Sequence, residues 1–223
     1  MGLAVKICGI NSAAAMTAAV AAGADYVGLM FYPPSPRYLA VAEAAALAAL
    51  VPDGIRRVGV FVDAPANVIE ETLEDVALEV LQLHGSETPA VVAAIRARFG
   101  LPVIKAIKLA GPGDLAVAQA FEDVADMILF DAKAPPEMIE ALPGGNALVF
   151  DWRLLAGYRG RRPWLLSGGL TAGNLAEAVA VTGAAIVDVS SGVETAPGVK
   201  DPALIAAFVA AARALGRDAG TDH

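Results

Sequence analysis

The 223-residue chain holds a single cysteine and only two histidines. One cysteine excludes an internal disulfide, and so few thiols and imidazoles leave little from which to build a metal site. Positive charge is also scarce: 16 Lys and Arg stand against 24 Asp and Glu, a net charge of −8. That balance disfavours nucleic acid and anionic lipid as partners. The basic residues form no patch, and the densest run, RGRR at Arg159–Arg162, reads as a solvated helix end. Apolar runs such as AAALAALV fall well short of the ~18 residues needed to cross a bilayer. The first residues enter a strand pattern at once, which leaves no room for a signal peptide. HExxH, CxxC, P-loop and GxGxxG patterns are all missing. A reducing, cytoplasmic setting without a metal is the expectation.

What is present is apolar and periodic. The hydrophobic fraction is 57 %, enough for a large core, and much of it is alanine, which favours closely packed helices. Eight strand candidates recur: AVKIC, YVGLM, RVGVF, VLQL, PVIKAI, MILFD, PWLLS and AIVDVS. Helix candidates start near Ser12, Val41, Pro65, Thr88, Asp114, Asp151, Asn174 and Pro202. Ser12, Thr88 and Asp151 are N-cap types, and Pro65, Pro89 and Pro202 suit a first turn. Gly23, Gly100, Gly183 and Gly216 follow helices. Strands alternating with helices predict a parallel sheet with right-handed crossovers. Strands that are apolar throughout predict burial on both faces. Eight such units in this length fit one (β/α)8 TIM barrel; a doubly wound open sheet is the competing fold. No internal linker stands out, so residues 1–215 form the expected barrel domain and 216–223 a frayed tail. The least regular stretch, Ala132–Val149, reads as a long functional loop.

In such a barrel the chemistry belongs at the carboxyl ends of the strands. Those ends carry Cys8, Asp63, His84, Asp131 and Ser167, with Asp188 inside the eighth strand and Arg37 in the proline-stiffened second loop, YPPSPRYL. SGGL (Ser167–Leu170) and SSGVE (Ser190–Glu194) follow the last two strands, where this fold often binds phosphate on backbone N–H groups. Cys8 is either a small buried hydrophobe or a general base. Lys6, of the same pleat parity, would stand beside it. Asp131 ends an apolar strand, where a carboxyl is costly to bury without a partner or a task. Arg37 is either a surface arginine or a bidentate grip for a carboxylate. His84 either bonds substrate or satisfies its loop. Asp63 reads as a helix N-cap ahead of Pro65, and Trp152 as packing for a short helix.

With those motifs in place the chain resembles the phosphoribosylanthranilate isomerase family of tryptophan biosynthesis. The resemblance runs nearly end to end through VKICGI, ADYVGLMFYPPSPRYL, VGVFVD, VLQLHG, VIKAI, LFDAK, FDW, LLSGGL and VDVSSGVE. It implies a (β/α)8 barrel that performs an Amadori rearrangement of N-(5-phosphoribosyl)anthranilate, with no cofactor and no metal. It further implies Cys8 as general base, Asp131 as general acid and Arg37 as the ligand of the anthranilate carboxylate. Gly168, Gly169, Ser190 and Ser191 would hold phosphate, and Asp188 would lie near the substrate; His84 is a substrate-binding candidate by its place after the fourth strand. Family members are monomers or homodimers. The chain departs from the family at Pro143–Ala147, PGGNA, where many members carry GGTG or GGSG; this bears on loop closure. Rival readings are an aldose–ketose isomerase of another pathway, an indole-glycerol-phosphate synthase suggested only by Lys105, and an inactive phosphosugar-binding barrel.

Overall fold

Eight parallel strands close on themselves in chain order: β1 (Ala4–Ile7), β2 (Tyr26–Met30), β3 (Arg56–Phe61), β4 (Val80–Leu83), β5 (Val103–Leu109), β6 (Met127–Ala132), β7 (Trp164–Leu166) and β8 (Ile186–Val189). The computed structural model describes residues 2–133, 144–145 and 150–218. The barrel shuts where β8 pairs with β1, in a register that sets Lys6 opposite Asp188. The expected TIM barrel is therefore the observed one.

Two apolar compartments follow from strand alternation, since successive side chains point to opposite sides of the sheet. Inward-facing Val58, Val60, Val80, Ile104, Leu129 and Leu165 fill the barrel, with Cys8 at their upper edge. Outward-facing residues such as Ile7, Phe61, Leu81 and Phe130 pack beneath the helices.

Those helices are α1 (Ala13–Ala22), α2 (Val41–Ala48), α3 (Ala66–Asp75), α4 (Pro89–Phe99), α5 (Gly113–Gln119), α6 (Leu175–Thr182) and α7 (Pro202–Asp218). Ser12 and Thr88 cap α1 and α4 through their hydroxyls, and Gly23, Gly100 and Gly183 end helices in the left-handed conformation. Among the described residues no helix is long and apolar enough to cross a membrane.

Three local expectations change. The helix expected at Asp151 is a single 3-10 turn, Trp152–Leu155, started by Asp151. Its layer is filled instead by Phe130, Tyr158 and Trp164, which meet edge to face at 5.0–5.9 Å between ring centroids. RGRR is no helix end: it precedes β7, where Arg161 bridges Glu122 and Asp123. Helix α7 continues through Gly216 to Asp218, and Gly216 lies so close to Gly2 and Leu3 that a Cβ would come within 2.9 Å of them. Most of the Ala132–Val149 stretch, Asn146 included, falls outside the described residues. A short hairpin, β9 (Glu194–Ala196) and β10 (Val199–Lys200), follows β8.

Candidate active site

Alternation also builds the mouth of the barrel. The inward positions run from Lys6 on β1 to Cys8 just past it, from Gln82 on β4 to His84 just past it, from Leu129 to Asp131 on β6 and from Leu165 on β7 to Ser167 just past it. Polar side chains therefore form a top layer over an apolar filling. The cleft above them encloses about 720 Å³, its open mouth included. Every residue singled out from the sequence as catalytic, substrate-binding or phosphate-binding lines it: Cys8, Arg37, His84, Asp131 and Asp188 on the walls, and Gly168, Gly169, Ser190 and Ser191 at one end.

Below Cys8 the Lys6 ammonium is fully buried and meets Asp188 Oδ1 at 2.7 Å; Ser167 Oγ donates to Asp188 Oδ2 at 3.0 Å. Gly28 makes space beside both β1 side chains, since a Cβ there would stand 3.1 Å from Cys8 Sγ and 3.4 Å from Lys6 Nζ. Burial opposes the Lys6 charge, but Asp188 and Cys8 outweigh it and hold its pKa above the ordinary lysine value. Burial pushes the Cys8 thiol up; Lys6 pulls it down, Asp188 adds to the rise, and the net is upward. The resting side chain at neutral pH is thus a thiol, and a cation beside it is what would release its proton.

On the far wall Gln82 Nε2 lies 2.8 Å from His84 Nδ1, and His84 Nε2 lies 3.2 Å from Asp131 Oδ2. His84 thus bridges the Gln82 amide and the Asp131 carboxyl through its two ring nitrogens, and its tautomer sets which group donates at each contact. Asp131 Oδ1 accepts from the Ala132 N–H at 2.9 Å. Gln82 Oε1 is buried and bonds to no partner among the described residues. Gly144 closes over this pair: a Cβ on it would stand 2.6 Å from His84 Nε2 and 2.7 Å from Asp131 Oδ2. His84 therefore bonds the candidate acid.

Arg37 is almost wholly buried and already engaged. Its Nε and Nη2 donate to the two oxygens of Glu194 at 2.7 and 2.8 Å, and Nη2 also donates to Gly145 O at 3.1 Å. Glu194 therefore takes the two-donor fork that the sequence offered for a ligand. At the other end, the amide N–H groups of Gly168, Gly169, Ser191 and Gly192 bond to no acceptor among the described residues. Lys200 Nζ donates to Ser190 O at 2.9 Å and Ser190 Oγ at 3.2 Å.

Two further expectations fail. Asp63 does not cap α3; its φ is +47° and its Oδ1 accepts from Ser86 N at 2.7 Å, tying the third loop to the fourth. Lys105 lies outside the cleft, where its ammonium donates to Glu87 at 2.7 Å and to Leu83 O and Gly85 O. The opposite parity of Lys105 from inward-facing Ile104 and Ala106 could have revealed this. The readings of the sequence missed Gln82, Glu194 and Lys200. For Gln82 a signal existed, the shared parity with His84; Lys200 meets Glu194 only once the hairpin has folded.

The comparisons agree on one family. The family model described as N-(5'phosphoribosyl)anthranilate (PRA) isomerase matches residues 5–211. An N-(5'-phosphoribosyl)anthranilate isomerase of Rhodospirillum centenum is 60 % identical over 96 % of this chain and 100 % of its own. A crystal structure of monomers of the dimeric Thermotoga maritima isomerase is 36 % identical with a TM-score of 0.82, covering 95 % of this chain and 99 % of that one. Another, of a phosphoribosyl anthranilate isomerase in complex with reduced 1-(o-carboxyphenylamino)-1-deoxyribulose 5-phosphate, has the same identity, coverage and TM-score. The protein is thus an aldose–ketose isomerase built on a (β/α)8 barrel. It belongs to the phosphoribosylanthranilate isomerase family and serves tryptophan biosynthesis.

Proposed function

We propose that Cys8 is the general base and Asp131 the general acid of the Amadori rearrangement. The observation that carries this reading is that the chain's one thiol and the Asp131 carboxyl line the same cleft, on β1 and β6, with the β7 and β8 loops between them. Phosphate held by backbone groups around Gly168, Gly169, Ser190 and Ser191 sets the ribose between the two groups, and Arg37 takes the anthranilate carboxylate.

Asp131, entering the cycle as the carboxylic acid, delivers its proton to the ribose ring oxygen and is left as the carboxylate. The anthranilate nitrogen supplies its lone pair to C1, the C1–O bond breaks, and a protonated Schiff base remains. That cation lowers the Cys8 pKa and acidifies C2. The thiolate removes the C2 proton, the C–H electrons form C1=C2, and the nitrogen regains its lone pair. The enolamine then loses its hydroxyl proton and gains one at C1, leaving the 2-ketone. Every step is a proton transfer or a heterolysis, so the sequence needs no cofactor or metal. Asp188 holds Lys6 beside the base, and His84 orients the acid.

Cys8→Ser and Asp131→Asn should each lower kcat by at least about 10²-fold while product still binds, because one proton transfer is worth ~10²–10⁴-fold. Turnover close to that of the unaltered enzyme in either variant would remove that residue from its role. We further propose that the enzyme works in the cytoplasm on this small molecule, without nucleic acid or membrane, as a monomer or a homodimer that sedimentation velocity distinguishes. Its catalytic domain is the barrel, with α7 included through Asp218.

A further inference from the structure

Glu194 stands behind the cleft, and its carboxylate serves two cations at once. Arg37 reaches it with Nε and Nη2 at 2.7 and 2.8 Å; Lys200 reaches Oε1 at 2.6 Å. Side-chain exposure is 4 % for Arg37, 3 % for Glu194 and 0 % for Lys200. Burial pushes the Glu194 carboxyl up, but Arg37 and Lys200 outweigh it and keep it ionised below the ordinary range. Burial in turn lowers the Lys200 pKa against the pull of Glu194. Two cations around one carboxylate suit the cluster to an anionic ligand.

Each cation also does something beyond this cluster. Arg37 lines the cleft, and Lys200 holds both the carbonyl and the hydroxyl of Ser190, in the loop proposed for phosphate. The chain of contacts Arg37–Glu194–Lys200–Ser190 therefore runs from one anion-binding end of the cleft to the other. It is built on the β9–β10 hairpin, which is pinned to the first and second loops. Gly198 O accepts from Asn11 Nδ2 at 2.9 Å, and Gly198 lies directly against Pro36 O.

We infer that Glu194 is a positioning residue that fixes Arg37 and, through Lys200, the Ser190 loop, and so sets the distance between the carboxylate and phosphate ends of the substrate. This rests on the assignment of Arg37 to the anthranilate carboxylate and of the Ser190 loop to phosphate. Glu194 touches no reacting atom; its action is through its two cations.

The test measures competitive inhibition by anthranilate and, separately, by inorganic phosphate. Arg37→Ala should raise the inhibition constant of anthranilate alone, and Lys200→Met that of phosphate alone. Glu194→Gln should raise both by about fivefold or more, since charge-assisted bonds at both ends lose their anchor, with kcat within about threefold. Loss of folded protein without a positioning role would lower kcat and leave both constants unchanged. If Glu194→Gln does not fold, Glu194→Gln/Lys200→Met removes one charge of each sign, and anthranilate inhibition should still weaken about fivefold. Both constants within twofold of the unaltered enzyme in the Gln variant, or only one of them moved, would overturn the inference. Unchanged anthranilate inhibition in Arg37→Ala would instead overturn the assignment on which it rests.

Discussion

At the scale of the residue, the chemistry depends on how each ionisable group is surrounded. Cys8 illustrates this. Burial outweighs the pull of Lys6 and Lys200, with Asp188 adding to the rise, and holds the thiol above its ordinary pKa near 8.5. The active form is the thiolate, so kcat/KM should climb with pH through and beyond 8.5, and this alkaline rise should disappear in Cys8→Ser. A plateau reached below pH 8 would contradict a protonated resting thiol. Lys6 could be anticipated from parity alone, as a charged residue two positions before Cys8. That Asp188 neutralises it could not, because the two are separated by 182 positions and meet only through the β1–β8 register.

At the scale of the element, chemistry written locally survived into the structure. Ser12, Thr88, Gly23, Gly100 and Gly183 act within a few residues of themselves, and each caps its helix as its type predicts. Elements that depend on distant neighbours did not follow local rules. Asp151 starts only a 3-10 turn, because aromatic rings from β6, β7 and the segment between them already cover that face of the barrel. Asp63 bonds a neighbouring loop rather than the helix after it. The β9–β10 hairpin is the element whose geometry matters most to binding. Gly198 turns it with φ +80° while lying against Pro36 O. Gly198→Ala adds strain in the left-handed region and a steric conflict with the Arg37 loop, so it should cost about 1–2 kcal/mol of stability and raise KM. Chemical denaturation and steady-state kinetics on one preparation would check both, and an unchanged KM would argue that the hairpin does not brace that loop.

At the scale of the whole molecule, the two ends of the barrel divide the work. The carboxyl end carries the cleft, and the amino end carries clasps that close the fold. Arg213 on α7 donates to Leu3 O at 2.7 Å, Gly23 O at 2.6 Å and Asp25 Oδ2 at 2.8 Å, joining the last helix to the first two strands. Its side chain is 34 % exposed, so Arg213→Ala should cost only about 1–2 kcal/mol. The urea midpoint should fall with kcat and KM unchanged, because no part of this clasp reaches the cleft. A changed kcat would mean that the two ends are coupled.

The sequence by itself determined the barrel, because strand count, helix alternation and apolar strands buried on both faces are local patterns that leave one compact closure. It also picked out residues that line one cleft, since this fold places chemistry at strand ends and those ends could be read. Tertiary structure alone decided which groups are paired: Lys6 with Asp188, His84 with Gln82 and Asp131, and Arg37 with Glu194 and Lys200. The physical reason is that a side chain's charge state and free donors depend on whatever stands within hydrogen-bonding reach of it, and in a closed barrel those neighbours come from opposite ends of the chain.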